Sequence, residues 1–253
     1  MSIKPRTPRP LFVRRGTRPA ALLLLLFAFT TPDIAAQQEH IDSPYRWLEK
    51  GFRVGLWGGY HAANRGTLKF GQGPAAAIGA KLRARISSPM SFEIGMTYAG
   101  ASRWVVDPRV DTGPAIIDTV SAHWLRFDMG TQIGLTGART WRGIHPYGLA
   151  GAGLTFGVAE GASETFADPQ FEPFRYDIHI APHIYVGGGI EMFTSETMGI
   201  GFEIRDYINR LSAPDGFLLP GVLANIETNG FPAPQGTAWQ HNVEFGIAIW
   251  HYF

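Results

Sequence analysis

Charged and large apolar side chains fall on opposite parities through most of this chain, and this constrains the fold more than any other feature. In residues 198–208, Glu203 and Arg205 alternate with Ile200, Phe202 and Ile204. In residues 75–86, Lys81, Arg83 and Arg85 alternate with Ile78 and Leu82. A period of two marks a strand whose faces meet different surroundings. Segments of this kind are read at 52–61, 75–86, 90–99, 123–136, 146–158, 178–192, 198–208 and 239–253. With 31 Gly, 17 Phe and almost no helical periodicity, the chain is expected to form one all-β domain.

The links between these segments alternate in length. Ser87–Pro89, Gly137–Gly143 and Thr194–Thr197 are short, whereas 62–74, 100–122, 159–177 and 209–238 are long and rich in Pro, Gly and Asp. Short turns on one side and long loops on the other predict an eight-stranded antiparallel up-and-down transmembrane β-barrel, with both termini on the short-turn side.

Energy assigns the faces. Arg53, Lys81, Arg83, Arg85, Glu93, Arg126, Asp128, Glu191, Glu203, Arg205 and Glu244 share one parity, opposite Leu56, Ile94, Phe127, Ile184, Phe202 and their apolar companions. Exposing these eleven charges to lipid at ~2 kcal/mol each would cost on the order of 20 kcal/mol. A domain is stable by only ~5–15 kcal/mol, so the charges point inward. Trp57, Trp124, Tyr185, Tyr207 and Trp250 share that parity, as do glycines that make room for them. An eight-stranded barrel has an interior that side chains can fill. The expectation is a plugged, salt-bridged lumen in which every strand charge faces inward. Tyr45, Trp47, Phe52, Trp141, Tyr147 and Phe253 at the short-turn end, and Tyr60, Tyr98, Trp104 and Trp239 at the other, are expected as two interfacial girdles.

Residues 1–36 read as a cleaved secretory signal. Six bases (Lys4, Arg6, Arg9, Arg14, Arg15, Arg18) precede the apolar run Ala20–Phe29, and Ile34-Ala35-Ala36 supplies the small-residue cleavage site. The run is too short for a transmembrane helix, which needs about 20 residues. Arg14-Arg15 is read as extra n-region charge, because Gly16 and Thr17 fit a twin-arginine motif poorly. Six of the 22 bases and one of the 21 acids lie in this segment, leaving 16 against 20, a mature net charge of about −4. The basic balance belongs to the export segment, so no nucleic-acid partner is expected. There is no Cys, hence neither a lipid-anchor site nor a disulfide framework. Residues 37–51 are expected as a short periplasmic segment and 52–253 as the barrel.

The final strand alternates strictly: Val243, Phe245, Ile247, Ile249 and Phe253 lie on one face, and Glu244, Gly246, Ala248 and Trp250 on the other. Together with Pro146-Tyr147, Gly187-Gly188-Gly189-Ile190-Glu191 and Glu203-Ile204-Arg205-Asp206-Tyr207, this pattern resembles the small OmpA/OmpX-type outer-membrane barrels. The resemblance covers essentially all of 52–253. It departs at His251, where that family usually has a hydrophobic or aromatic residue. The resemblance implies a monomer in a Gram-negative outer membrane, surrounded by lipid and lipopolysaccharide. It also implies that barrel-assembly machinery reads Phe245, Ile247, Ile249 and Phe253. No periplasmic peptidoglycan-binding domain is expected to follow the barrel.

Such barrels share a fold and not a function. No cofactor, metal site or catalytic residue is expected. His179 and His183, four apart on a strand, stand about 13 Å from each other, too far to share an ion. His241 has lipid-facing parity at the rim, and no serine adjoins it to make a nucleophile–base pair. The acids of 159–177 lack the spacing of a calcium loop. The apolar run Phe217–Ala224 is expected either to cap the mouth or to form an exposed patch, and Pro182 to mark a bulge. The expected role is non-enzymatic, structural or surface-interactive. The alternatives are small hydrophobic-ligand transport or capture near Pro182, and a lipid-modifying enzyme using His241 or His123. A soluble lipocalin-like barrel is the rival at the level of fold.

Overall fold

Every long strand pairs with two neighbours, and the ring closes. The computed structural model describes residues 45–48, 50–109, 115–161, 168–176, 180–234 and 236–253. The chain divides into two units, Met1–Asp42 and Ser43–Phe253, and the described residues belong to the second. The strands are β1 (Tyr45–Trp47), β2 (Phe52–Ala62), β3 (Ala75–Arg85), β4 (Met90–Asp107), β5 (Ala115–Gly134), β6 (Arg139–Trp141), β7 (Ile144–Glu160), β8 (Ile180–Phe193), β9 (Met198–Ser212) and β10 (Thr237–Tyr252). The eight long ones run in the order β7-β5-β4-β3-β2-β10-β9-β8, and β7 pairs with β8. All pairings are antiparallel, and the first and last long strands meet as Glu244↔His61 and Trp250↔Gly55. The fold is a closed eight-stranded up-and-down barrel without free edges.

Several strands outrun the sequence reading. Residues 100–122, expected as a loop, continue the β4–β5 ladder to Asp107↔Ala115, with one register shift at Val105/Val106. Burial still alternates through Ala101, Arg103 and Val105, and breaks only at the register shift, where Val105, Val106 and Asp107 are buried in succession. The short turn Gly137–Gly143 contains β6, which pairs with β1. Arg142 (φ 50°) and Gly143 (φ 77°) turn β6 into β7, the pair of positive φ values that a two-residue type I′ hairpin requires. Pro182 does not form a bulge. The β7–β8 register passes through Leu154↔Pro182 unshifted, while the β8–β9 ladder begins one residue later at His183↔Asn209. The proline lies where pairing to β9 has ended, a position that tolerates a missing N–H.

The link 209–238 folds into a cap. A 3₁₀ turn, Asp215–Leu218, leads into helix α1, Pro220–Thr228. Pro220 opens the helix, where its missing N–H costs nothing. Gly230 (φ 76°) closes it: Gly230 N donates to Glu227 O and Phe231 N to Ile226 O, the paired bonds of a Schellman cap. Phe217, Val222 and Ile226 are buried against Leu68, Phe70, Val106, Phe174 and Leu211. The apolar run is therefore a cap, although Leu218 and Leu219 at its turn remain exposed.

Candidate functional site

The charged residues singled out from the sequence meet inside the barrel in three tiers. In the middle tier Glu203 is the hub. It accepts from Lys81 Nζ at 2.6 Å, Arg205 Nη2 at 2.7 Å, Tyr147 Oη at 2.7 Å and Arg83 Nη2. Glu93 accepts from Arg205 Nη2 at 2.6 Å and from Arg83 Nε. Aromatic faces complete the tier: Lys81 Nζ lies 3.7 Å from the Trp57 ring centroid, and the Arg83 guanidinium 4.3 Å from that of Trp250.

Toward the long-link end, Arg126 Nη2 reaches Glu244 at 2.7 and 2.8 Å, and Arg126 Nε reaches Asp128 at 3.3 Å. His61 Nδ1 lies 3.2 Å from Glu244, and His183 Nε2 lies 2.8 Å from Asp128. Tyr207 Oη donates to Asp128 at 3.1 Å. Toward the short-turn end, Arg53 Nη2 donates to Gln132 Oε1 at 2.6 Å and stands 3.3 Å from Glu191. Within these tiers five cations (Arg53, Lys81, Arg83, Arg126, Arg205) face five carboxylates (Glu93, Asp128, Glu191, Glu203, Glu244), and all ten are buried. Buried charge persists only when paired and hydrogen-bonded, and this balance supplies the pairing.

The glycines expected inward make room for the large rings. A Cβ on Gly55 would fall 2.5 Å from the Trp250 ring, and one on Gly130 would fall 2.3 Å from Tyr185 Oη. The outer face carries Leu56, Ile78, Ile94, Met129, Ile184, Ile204 and Ile247, all exposed, in a continuous apolar belt.

Four placements depart from the sequence reading. Tyr147 is buried in the lumen on Glu203 rather than in a girdle. Trp104 lies under the Arg65 guanidinium and against the cap. Arg85 leaves the lumen network and bonds the carbonyls of Leu48 and Lys50 at the short-turn rim. Asp206 breaks the rule that every strand charge faces inward. It sits on the outer face of β9 at the rim, its Oδ2 2.7 Å from Nδ1 of His241. Phe52 and Phe253 pair on the outside, ring centroids 5.8 Å apart, and Tyr60 pairs with Phe245 at 5.6 Å. His251, on the same face, has its ring centroid 4.7 Å from that of Phe253.

The partner of His183 was not legible, because Asp128 lies 55 positions away on a strand that is not its neighbour. His179 lies outside the described residues. His123 stacks on Tyr98, whose hydroxyl is 2.7 Å from Nδ1. Among the described residues the hydrogen-bond partners of the two rim histidines are Tyr98 for His123 and Asp206 for His241, neither of them a serine or threonine. No group of three or more His, Asp or Glu with metal-holding geometry occurs among the described residues.

Beside the upper tier lies a partly open cavity of ≈ 50 Å³, lined by polar side chains together with Ala63, Ala181 and Leu211; Leu211 belongs to the cap cluster and Tyr176, also in the lining, packs against it. Burial pushes the Tyr176 phenol up to about 12.

Several solved structures are similar to this chain. The outer membrane protein OprG from Pseudomonas aeruginosa is 11% identical over 81% of this chain and 97% of that one, with a TM-score of 0.47. Neisserial surface protein A is 9% identical over 83% and 98%, with a TM-score of 0.45. Ail of Yersinia pestis, in complex with the heparin analogue sucrose octasulfate, is 9% identical over 81% and 97%, with a TM-score of 0.39. No protein-family model and no curated protein sequence matches the chain. At these identities and scores the likeness is one of barrel shape and carries nothing about role.

Proposed function

We propose that this chain is a monomeric outer-membrane barrel, closed to solute flow, that serves as a lipid-embedded anchor presenting its capped long-link end at the cell surface. The observation that carries this reading is the inside-out distribution of polarity. Ten buried charges pair across the lumen while the outer face is a belt of exposed apolar side chains. A water-soluble barrel has no use for such a belt, whereas hydrocarbon requires it. Lipid and lipopolysaccharide surround the belt, and Phe245, Ile247, Ile249 and Phe253 on the outer face of the last strand are what the assembly machinery reads.

The role is non-enzymatic. His241 and Asp206 form a dyad at 2.7 Å, but nucleophilic chemistry also needs a nucleophile in contact with its base. Transport through the lumen is disfavoured by the middle tier, where Lys81, Arg83, Arg205 and Glu203 interlock.

Fractionation and liposome swelling test the reading together. The protein is expected in outer membranes as a compact band that boiling converts to a slower one. Liposomes containing it are expected to swell in small sugars no faster than protein-free ones. Recovery in the soluble periplasm would overturn the placement, and rapid swelling would overturn the closed lumen.

A further inference from the structure

The short-turn end of the barrel is covered, although its polar lining reaches almost to the strand ends. Arg53 is the second residue of β2, His145 the second of β7, Gln132 the third from the end of β5, Glu191 the third from the end of β8 and Tyr252 the last of β10. These inward side chains are 4%, 4%, 1%, 0% and 3% exposed. Polar groups so near an open mouth would meet water, so something lies over them.

The segment that enters β2 is placed to do this. β1 pairs with β6 in the register Tyr45↔Trp141, Arg46↔Thr140 and Trp47↔Arg139, and Leu48 N donates to Ala138 O at 2.9 Å. β6 belongs to the β5–β7 link. In the ring, β4 and β3 separate β5 from β2 on one side, and β8, β9 and β10 separate β7 from β2 on the other. The segment therefore starts near the far side of the mouth and reaches the wall at β2, where Arg85 N donates to Gly51 O at 2.7 Å. On the way it is gripped by Arg85, whose guanidinium donates to Leu48 O and, at 2.9 Å, to Lys50 O. Arg85 shares the face of β3 that carries Lys81 and Arg83 into the lumen, so the carbonyls it holds lie over the mouth. Lys50 Nζ extends to Tyr252 O at 3.3 Å, on the end of β10.

We propose that this segment, Tyr45–Leu48 with Lys50 and Gly51, is a detachable strap that seals the short-turn mouth and is clamped by Arg85. Its hold among the described residues is slight: a three-residue pairing with β6, the Leu48 bond to Ala138, one guanidinium and the Lys50 contact. Each long strand is instead bonded on both sides. Weakly tied segments open at a small fraction of the global unfolding free energy. Opening admits water to Arg53, Gln132, Glu191 and His145 and no deeper, because the interlocked middle tier stands above them. The strap is a second closure, distinct from the ion-pair tiers, that is released while the barrel stays intact.

The test uses the whole barrel refolded in micelles, with diethyl pyrocarbonate as a probe of histidine access read residue by residue by mass spectrometry. His145 reports the strapped end, and His61 and His183 in the upper tier are internal controls. Arg85→Met removes the clamp and is expected to raise the His145 rate by about tenfold, the worth of one hydrogen bond to a charged group. Leu48→Pro removes the N–H that Ala138 O accepts, and is expected to shift His145 in the same direction; it carries the test if Arg85→Met does not refold. Tryptic cleavage after Lys50 is expected to accelerate in step, while His61, His183 and heat-dependent gel mobility stay as in the wild type. Unchanged His145 reactivity means that the β5–β7 link alone covers the mouth, and overturns the proposal. A rise shared by all three histidines means that the barrel loosens as a whole, and overturns it too.

Discussion

Replacing Glu203 with Gln is the most demanding perturbation of the lumen. The side chain keeps its size, so the change is almost purely electrostatic. Glu203 receives Lys81, Arg83, Arg205 and the Tyr147 hydroxyl. In Glu203→Gln, Glu93 alone remains in the middle tier to compensate three cations. Stripping one partner from a buried ion pair costs roughly 3–5 kcal/mol, because the remaining charge cannot recover its hydration. Against a total of ~5–15 kcal/mol, that is a large share of the barrel's stability. At a slope of roughly 1–3 kcal/mol per molar urea, the midpoint should fall by on the order of 1–5 M. Lys81 is the natural compensating site. It pairs with Glu203, whereas Arg83 and Arg205 also reach Glu93. Glu203→Gln with Lys81→Met restores the balance, and an apolar replacement for a buried pair is often neutral or better. Unfolding followed by tryptophan fluorescence and by heat-dependent gel mobility is expected to place the double variant above Glu203→Gln and near the wild type. If Glu203→Gln unfolds at the wild-type midpoint, or if the two losses simply add, the coupled-tier reasoning is wrong.

Other expectations follow from the outer face and the cap. Leu56→Arg, at a position 69% exposed between Ile249 and Ala80, should cost about 2–4 kcal/mol in lipid vesicles if it lies near the bilayer midplane. Unchanged vesicle stability would contradict a lipid-facing belt. Phe217→Ala removes a fully buried ring from the cap, a change worth about 3–5 kcal/mol in a core. Because the cap can open by itself, limited proteolysis within 213–236 should accelerate while the barrel midpoint barely moves. Phe253→Ser loses the ring pairing with Phe52, yet its backbone bond to Phe52 O remains possible. Assembly yield in cells should drop while the stability of refolded protein changes little, and normal yield would refute the recognition role.

The sequence disclosed what depends on the nearest neighbours of a residue and concealed what depends on distant ones. Parity placed Lys81, Arg205 and Glu244 inside, because only the sidedness of one strand was needed. It did not reveal that Glu203 is the hub, since Lys81 and Arg83 come from β3 and Tyr147 from β7, across the lumen. Tyr147 looked like a girdle residue because an aromatic near a strand end fits both roles; its inward parity, shared with Leu149 and opposite the outward Leu154, was the overlooked signal. Asp206 was misread by extending a rule for the bilayer region to the rim, where its carboxylate meets the His241 ring. The cap helix left two local marks, Pro220 at its start and Gly230 just past its end, but nine residues are too few for periodicity to stand out. The cavity was wholly invisible, being defined by the ends of several strands and by side chains from two separate links.

Single-channel recording in planar bilayers is the most direct test of the central claim that interlocked ion pairs close this lumen. The wild-type barrel is expected to give no persistent conductance steps at moderate voltage, and Glu203→Gln to give at most brief flickers. Large, long-lived steps from the wild-type protein, with amplitudes that scale with bulk salt, would contradict the closed lumen.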